Sequence, residues 1–223
     1  LIMDPASAYV ESAAMAMGRK IDDIIIDAAF GTSYGSESTS GADANTPITW
    51  SDWTDGTKGN QLIAKNFVQS GSPANKGLTV DKLIRAQRLL QQNEADDYDA
   101  GGGSPLFVIC SSAQIESMLN ENSYVNRDFS PLYALYTGEV DTFMGFNFIR
   151  TEKLPTYVSG SDTIEKVLIF HRAGLGLCIW EDIVARVDER ADKRFSQYIY
   201  FRMTMGATRL EEKRVIQADC KVS

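Results

Sequence analysis

The stretch from Leu106 to Pro155 constrains the fold of this chain more than any other. Its opening run, Leu106-Phe107-Val108-Ile109-Cys110, is unbroken in its apolar character, too short for a free-standing helix and rich in strand formers. Such a run predicts a strand covered on both faces, because a strand with one wet face alternates instead. Ser111 and Ser112 then cap a short helix with Ile115, Met118 and Leu119 on its buried stripe. A polar passage from Asn120 to Asp141 leads to Phe143-Met144-Gly145-Phe146-Asn147-Phe148-Ile149-Arg150-Thr151-Glu152-Lys153-Leu154-Pro155. There the glycine turns the backbone, a short strand follows and the proline ends it. None of these side chains makes a reactive pair; the unit holds a shape.

The clearest alternation comes near the end of the chain. Ile199, Phe201, Met203 and Met205 share one face of a predicted strand, with Tyr198, Tyr200, Arg202 and Thr204 on the other. Gly206 breaks the pattern, and Val215 to Cys220 repeats it with Ile216, Ala218 and Cys220 on one side. The second face of Tyr198–Thr204 is half polar and half aromatic, which suits a subunit contact better than open water. Val167-Leu168-Ile169-Phe170 is another fully apolar strand, and Gly174 and Gly176 flank the bend into Leu177-Cys178-Ile179-Trp180. Between these pieces, Asp188-Glu189-Arg190-Ala191-Asp192-Lys193-Arg194 mixes signs densely, as a solvated face or a register-setting contact with another subunit does.

Two helices complete the skeleton. Asp4-Pro5 starts a helix that runs to Phe30, with Tyr9, Val10, Ala13, Ala14, Met17, Ile21, Ile24, Ile25 and Ala28 on a broad apolar stripe and Gly31 as its stop. Thr79 caps a second, in which Val80, Leu83, Ile84, Ala86, Leu89 and Leu90 alternate with Asp81, Lys82, Arg85, Gln87 and Arg88. Thr32 to Lys76 is rich in Gly, Ser, Thr, Asp and Asn, and Ile48–Trp53 and Gln61–Val68 read as short strands within it. Trp50 and Trp53 have no basic cluster beside them, so they read as packing residues in a surface excursion rather than a stacking site.

Composition narrows the function. With 223 residues, 43% of them hydrophobic, the chain buries one substantial core or two small ones, and no apolar run approaches the length of a membrane span. A net charge of −8 argues against uniform affinity for nucleic acid, yet leaves open a protein that encloses DNA without binding its sequence. Cys110, Cys178 and Cys220 lie far apart and read as buried reduced thiols, with neither metal nor disulfide spacing. Four carboxylates in Glu94–Asp99 lack the calcium-loop pattern, and Gly101-Gly102-Gly103 is followed by a strand, not by the Lys-Ser or Lys-Thr of a phosphate cradle. His171 is the only histidine and has no nucleophile motif near it. The sequence therefore predicts no catalytic residue, no cofactor and no metal site. Leu1 opens the chain in place of methionine, and a preceding segment is expected.

The order of these pieces carries a resemblance. A strand and helix, a long loop, then an apolar-Gly-apolar strand ending in Thr151-Glu152-Lys153-Leu154-Pro155 is similar to the major capsid protein of tailed bacteriophages, whose fold is named after phage Hong Kong 97. Val167 to Ser223, closing near Gly206-Ala207-Thr208-Arg209, resembles that family's last part, and Asp4–Phe30 its spine helix. The resemblance implies an α+β fold of two domains. A peripheral domain would hold residues 1–76, with the spine helix at 5–30 and an excursion at 32–76. An axial domain, a central sheet flanked by helices, would hold 77–187, and 188–223 would return as the long strand and closing strand. The implied function is a structural subunit that self-assembles, as pentamers and hexamers, into the icosahedral virion capsid. It would assemble in the host cytoplasm with portal and scaffolding proteins, with a decoration protein as a further partner, and enclose double-stranded DNA. Arg127 and Asp128 would lie near a five- or sixfold axis; Arg190, Lys193, Arg194, Tyr198, Tyr200 and Arg202 would serve subunit contacts. The family's N-terminal arm and extended loop have no counterpart before Leu1, so the resemblance implies nothing about cross-linking or clasping between capsomers. An encapsulin-like nanocompartment shell and a soluble α+β enzyme are the alternative readings.

Overall fold

A computed structural model describes residues 5–35, 46–51, 60–69, 71–95, 105–120 and 142–222. Its body is a seven-stranded sheet in the order β3-β11-β8-β4-β6-β5, with β7 beside β8. These strands are β3 (Leu62–Ile63), β4 (Leu106–Cys110), β5 (Thr142–Phe143), β6 (Phe146–Arg150), β7 (Thr156–Ser159), β8 (Asp162–His171) and β11 (Val215–Lys221). The pairs β4–β6 and β11–β3 are parallel, and the others antiparallel. A separate short pair joins β1 (Ser33–Gly35) to β2 (Thr46–Ile48).

Strand β4 lies inside the sheet, and both its faces are covered, as an unbroken apolar run requires. On one face Val108 and Cys110 meet Leu83, Ala86, Leu89 and Leu90 of α2 (Val80–Gln92) and Met118 of α3 (Ser112–Asn120), with Phe146, Ile169, Ile216 and Ala218 beside them. On the other, Ile109 joins Leu168, Val215, Leu154, Trp50 and the end of α1 (Pro5–Phe30) through Ile26 and Ala29. Strand β11 is likewise buried on both faces: Ile216, Ala218 and Cys220 form the expected side, while Val215, Gln217 and Asp219 are covered too. Full burial of one such aliphatic side chain contributes about 1.5–3 kcal/mol.

The local rules work where the sequence marks them. Thr79 caps α2, its side chain accepting from Lys82 N at 3.4 Å. Met144 and Gly145, with φ of 53° and 80°, make the two-residue turn between β5 and β6, and positive φ at both positions is what the right-handed strand twist asks of such a loop. Gly77 is needed for space: a Cβ there would stand 2.1 Å from Ser117 Oγ.

Several expectations need correction. Lys82, placed on the polar side of α2, is fully buried, and its ammonium donates to the carbonyls of Lys65, Lys76 and Asp219 at 3.2, 2.9 and 2.8 Å. It ties the 65–76 segment to β11, a use of lysine that periodicity does not reveal. Ile84 lies exposed instead. Cys178 is exposed, whereas Cys110 and Cys220 are buried. In α1 the stripe is borne out at the half-buried Val10, Ala13, Met17, Ile21, Ile24, Ile25 and Ala28, whereas Tyr9 and Ala14, expected on it, are exposed. Of the described residues 48–51 in the strand expected at Ile48–Trp53 only Ile48 is in a strand, and Gln61–Val68 contributes just β3. Trp53 lies outside the described residues.

Candidate assembly interface

Outside the seven-stranded sheet, β9 (Leu175–Arg190) and β10 (Ser196–Arg209) pair with each other alone among the described residues, as a two-stranded antiparallel hairpin. The expected boundary between 187 and 188 falls inside β9, so the mixed-charge stretch is not an independent element: it is the hairpin's tip. The 14 residues of β10 span about 46 Å. Helix α1 runs along one face of this ribbon, against the half-buried Ile199, Phe201, Met203 and Met205. The predicted alternation of β10 is thus real, and its apolar side is the side the helix covers.

The other face is open. Tyr198, Tyr200, Arg202 and Thr204 are exposed there, opposite Asp188, Arg186, Val184 and Glu181 of β9. The rings of Tyr198 and Tyr200 stack with centroids 6.3 Å apart, and the Arg190 guanidinium lies 5.6 Å from the Tyr198 ring centre. Arg202 donates to Glu181 at 2.5 Å, and that hydrogen bond and charge push the arginine's pKa further up. Such an exposed pair contributes little stability by itself, but it fixes where the charges sit. Val184, Arg186, Asp188, Tyr198, Tyr200 and Arg202 line a shallow hollow of about 280 Å³.

At the tip, Arg190 grips Asp192 with two hydrogen bonds of 3.0 and 2.6 Å before a short 3-10 turn, Ala191–Lys193. Arg194 and Phe195 follow, both at φ 55° and both exposed. A bulky residue in that region is strained. The structure therefore brings Arg190, Lys193 and Arg194 together at one end of the ribbon and sets Tyr198, Tyr200 and Arg202 along one face. Arg127 and Asp128 lie outside the described residues. Sequence reading missed the exposed apolar residues of β9: Trp180 is 87% and Ile179 52% accessible. The register slips twice here, between Ile179 and Val184, so β9 carries extra residues relative to β10. Alternation changes phase across the slip, and that broken phase was the available signal.

Arg209 anchors the ribbon at its root. Its side chain is wholly buried and donates to the carbonyls of Ala28, Ala29 and Gly31 at 3.1, 3.0 and 2.5 Å, the free acceptors at the end of α1. Its Nε donates to Glu212 at 2.5 Å, and Glu212 also accepts from Ser33 Oγ at 2.6 Å. The guanidinium lies 4.7 Å from the Trp50 ring centre, and Trp50 Nε1 donates to Gln217 Oε1 at 2.9 Å. Gln217 and Tyr157 both donate to the Asp219 carboxylate, at 2.7 and 2.6 Å, and burial and that carboxylate push the Tyr157 hydroxyl's pKa well up. One chain of polar contacts therefore runs from α1 through the ribbon's root into the sheet.

His171, Cys110 and Cys220 are occupied structurally. His171 Nδ1 accepts from Ala173 N at 3.0 Å and closes the turn into β9. Burial pushes the thiols of Cys110 and Cys220 up to about 12, where they stay protonated. Among the described residues no group of three His, Cys, Asp or Glu side chains is placed to hold a metal ion, and no helix is long and apolar enough to cross a membrane.

The profile of the phage capsid protein family matches residues 1–222. This chain belongs to that family. It is a structural subunit of a phage capsid shell. Solved structures agree on the fold: a chain of the cyanophage Pam1 capsid asymmetric unit superposes with a TM-score of 0.68 at 13% identity, covering 100% of this chain and 70% of that one. The capsid of Ralstonia phage GP4 gives 0.67 at 12% identity over 99% and 68%. A protein of Mycobacterium phage Che8 gives 0.58 at 14% identity over 95% of this chain and 62% of its own length, so the present chain spans under two thirds of that relative. A comparison with curated protein sequences found no match.

Proposed function

We propose that this capsid protein has the Hong Kong 97-type arrangement and closes, as pentamers and hexamers, an icosahedral shell around double-stranded DNA. In this reading α1 is the spine helix and the β9–β10 ribbon the long arm of the peripheral part. The seven-stranded sheet with α2 and α3 is the core of the axial part. The division at 187 moves to Leu175, where the ribbon leaves the body. Arg127 and Asp128 keep their proposed place near a symmetry axis. Assembly would take place in the host cytoplasm with portal and scaffolding proteins, and with a decoration protein as a further partner.

One observation carries the proposal: a ribbon about 46 Å long has one face under α1 and an open face with stacked tyrosines, paired charges and a strained, charged tip. Aromatic side chains in an ordered, exposed array mark a contact surface. Each such contact is modest, but a closed shell makes every subunit hold several neighbours at once, so effective concentration multiplies weak interfaces. Weak single contacts also let misplaced subunits leave before closure.

The test is charge reversal at the tip. Arg190→Glu, Lys193→Glu and Arg194→Glu are expected to cut particle yield, counted by negative-stain microscopy, while the subunit's melting temperature stays within about 2 °C, as surface changes do. Equal losses of both would leave these residues only a folding role. Wild-type particles filled with protein cargo in place of DNA would point to the nanocompartment alternative.

A further inference from the structure

We propose that the hollow beside α2 is a carboxylate-binding site, filled in the assembled shell by an acidic side chain from a second copy of this chain; the inference rests on the shell-subunit reading. Arg85 and Arg88 stand one helical turn apart on α2 and line a hollow of about 490 Å³ together with Asn60, Gln61, Gln92 and Asn93. Among the described residues no carboxylate lines it. Among the described residues neither arginine forms an ion pair. Arg85 is instead held by the Phe67 ring, 5.9 Å from its guanidinium carbon. Two forked cations on one turn, backed by side-chain amides, match the two oxygens of a carboxylate.

A second observation points to a ligand from a protein. Gln61 is 2% exposed, and its Oε1 is buried without a hydrogen-bond partner. Burying an unpaired carbonyl is costly, about 1–3 kcal/mol, and the missing partner is a donor. A peptide segment supplies both needs, a carboxylate for the arginines and an N–H for Gln61. A phosphodiester backbone offers no such donor, and its approach opposes a net charge of −8. A copy of this chain presents carboxylates in excess, 30 acidic residues against 22 basic ones. Shell geometry brings copies into contact at high effective concentration.

The experiment uses R85K, which places a primary amine in the hollow, and a water-soluble carbodiimide, which joins amines to carboxylates at zero length. Shells co-assembled from light and heavy-isotope chains are expected to yield mixed-isotope peptide pairs linking position 85 to an Asp or Glu peptide. Unassembled subunits are expected to yield none. Shells that cross-link at other lysines but not at position 85, or only within one chain, overturn the inference. In parallel, R85Q/R88Q is expected to lower particle yield roughly tenfold with an unchanged melting temperature. Unchanged yield overturns the proposal, and so does normal yield with loss of packaged DNA alone, which would make a phosphate the occupant. Should R85K fold but fail to assemble, the R85Q/R88Q yield decides. A wild-type chain that forms no particle would overturn the shell-subunit reading, a result distinct from particles lacking the cross-link.

Discussion

Arg209→Met removes the cation at the ribbon's root while keeping most of its volume. It leaves the Glu212 carboxylate, 10% exposed, with its Ser33 contact, and takes a buried donor from the carbonyls of Ala28, Ala29 and Gly31. Breaking a buried ion pair by deleting one partner costs about 3–5 kcal/mol. Stacking on Trp50 at 4.7 Å is a desolvated contact worth about 2 kcal/mol, but it shares the same group, so the two do not add. A loss of about 4 kcal/mol lowers the melting temperature of a chain this size by roughly 8–16 °C.

The assay is thermal unfolding of the unassembled subunit, because neighbours in a shell would stabilise it by mass action. R209M/E212Q should recover about 1–2 kcal/mol, since the double variant no longer buries a lone carboxylate. Hydrogen exchange should quicken at the end of α1 and stay unchanged at its exposed beginning. A drop worth less than about 1 kcal/mol would refute the reasoning. It would mean that water replaces the guanidinium at little cost, and that the root is wetter than its burial implies.

Lys82→Met should cost about 2–3 kcal/mol, because three carbonyls lose a charged donor; faster hydrogen exchange across residues 65–76 would mark the released segment. At about pH 8 a thiol reagent should titrate Cys178 alone in the native subunit and all 3 cysteines in denaturant, since burial holds Cys110 and Cys220 near 12. Glu152 accepts from the Ser112 N–H at the start of α3, which holds its pKa below the ordinary 4.5. A depressed carboxylate stabilises above its unfolded pKa and loses that contribution as pH falls through the folded value. The difference in urea stability between wild type and Glu152→Gln should therefore be present at neutral pH and close below pH 4.5.

How far the fold was legible depends on how locally each part is specified. Strand β4, the Thr79 cap and the alternation of β10 are written in adjacent residues, and period and composition find them. The roles of Lys82 and Arg209 are not, because their partners lie up to 181 residues away and an isolated charge on a helix or strand reads as solvated. Strand β9 hid for a different reason. Its two register slips break the alternation that would have joined Leu175 to Arg190, so its halves read as a bend and a charged loop. For the candidate interface, Tyr198, Tyr200 and Arg202 were visible as a semi-polar face. That Arg85 and Arg88 share a hollow with Gln61 follows only from the placement of β3 beside β11.

The ribbon explains why the subunit's fold and its assembly are hard to separate. A two-stranded hairpin is marginal in water by itself, and this one gains a packed surface on one face only, from α1. Both outer edges also carry unpaired backbone groups among the described residues, a template for pairing with any other strand. Charges spaced along the ribbon, Asp182, Arg186, Asp188, Glu189 and Arg190 on β9 with Arg202 on β10, oppose indiscriminate pairing, because every register that sets like charges opposite each other is disfavoured. The same spacing favours a partner whose charges fall in the complementary places. In the proposed reading the surface that covers the open face carries a defined charge pattern, which identical neighbours held at fixed angles in a shell would supply. Arg209 serves that end by fixing the angle at which the ribbon leaves the sheet, so that each copy offers its pattern in the same direction.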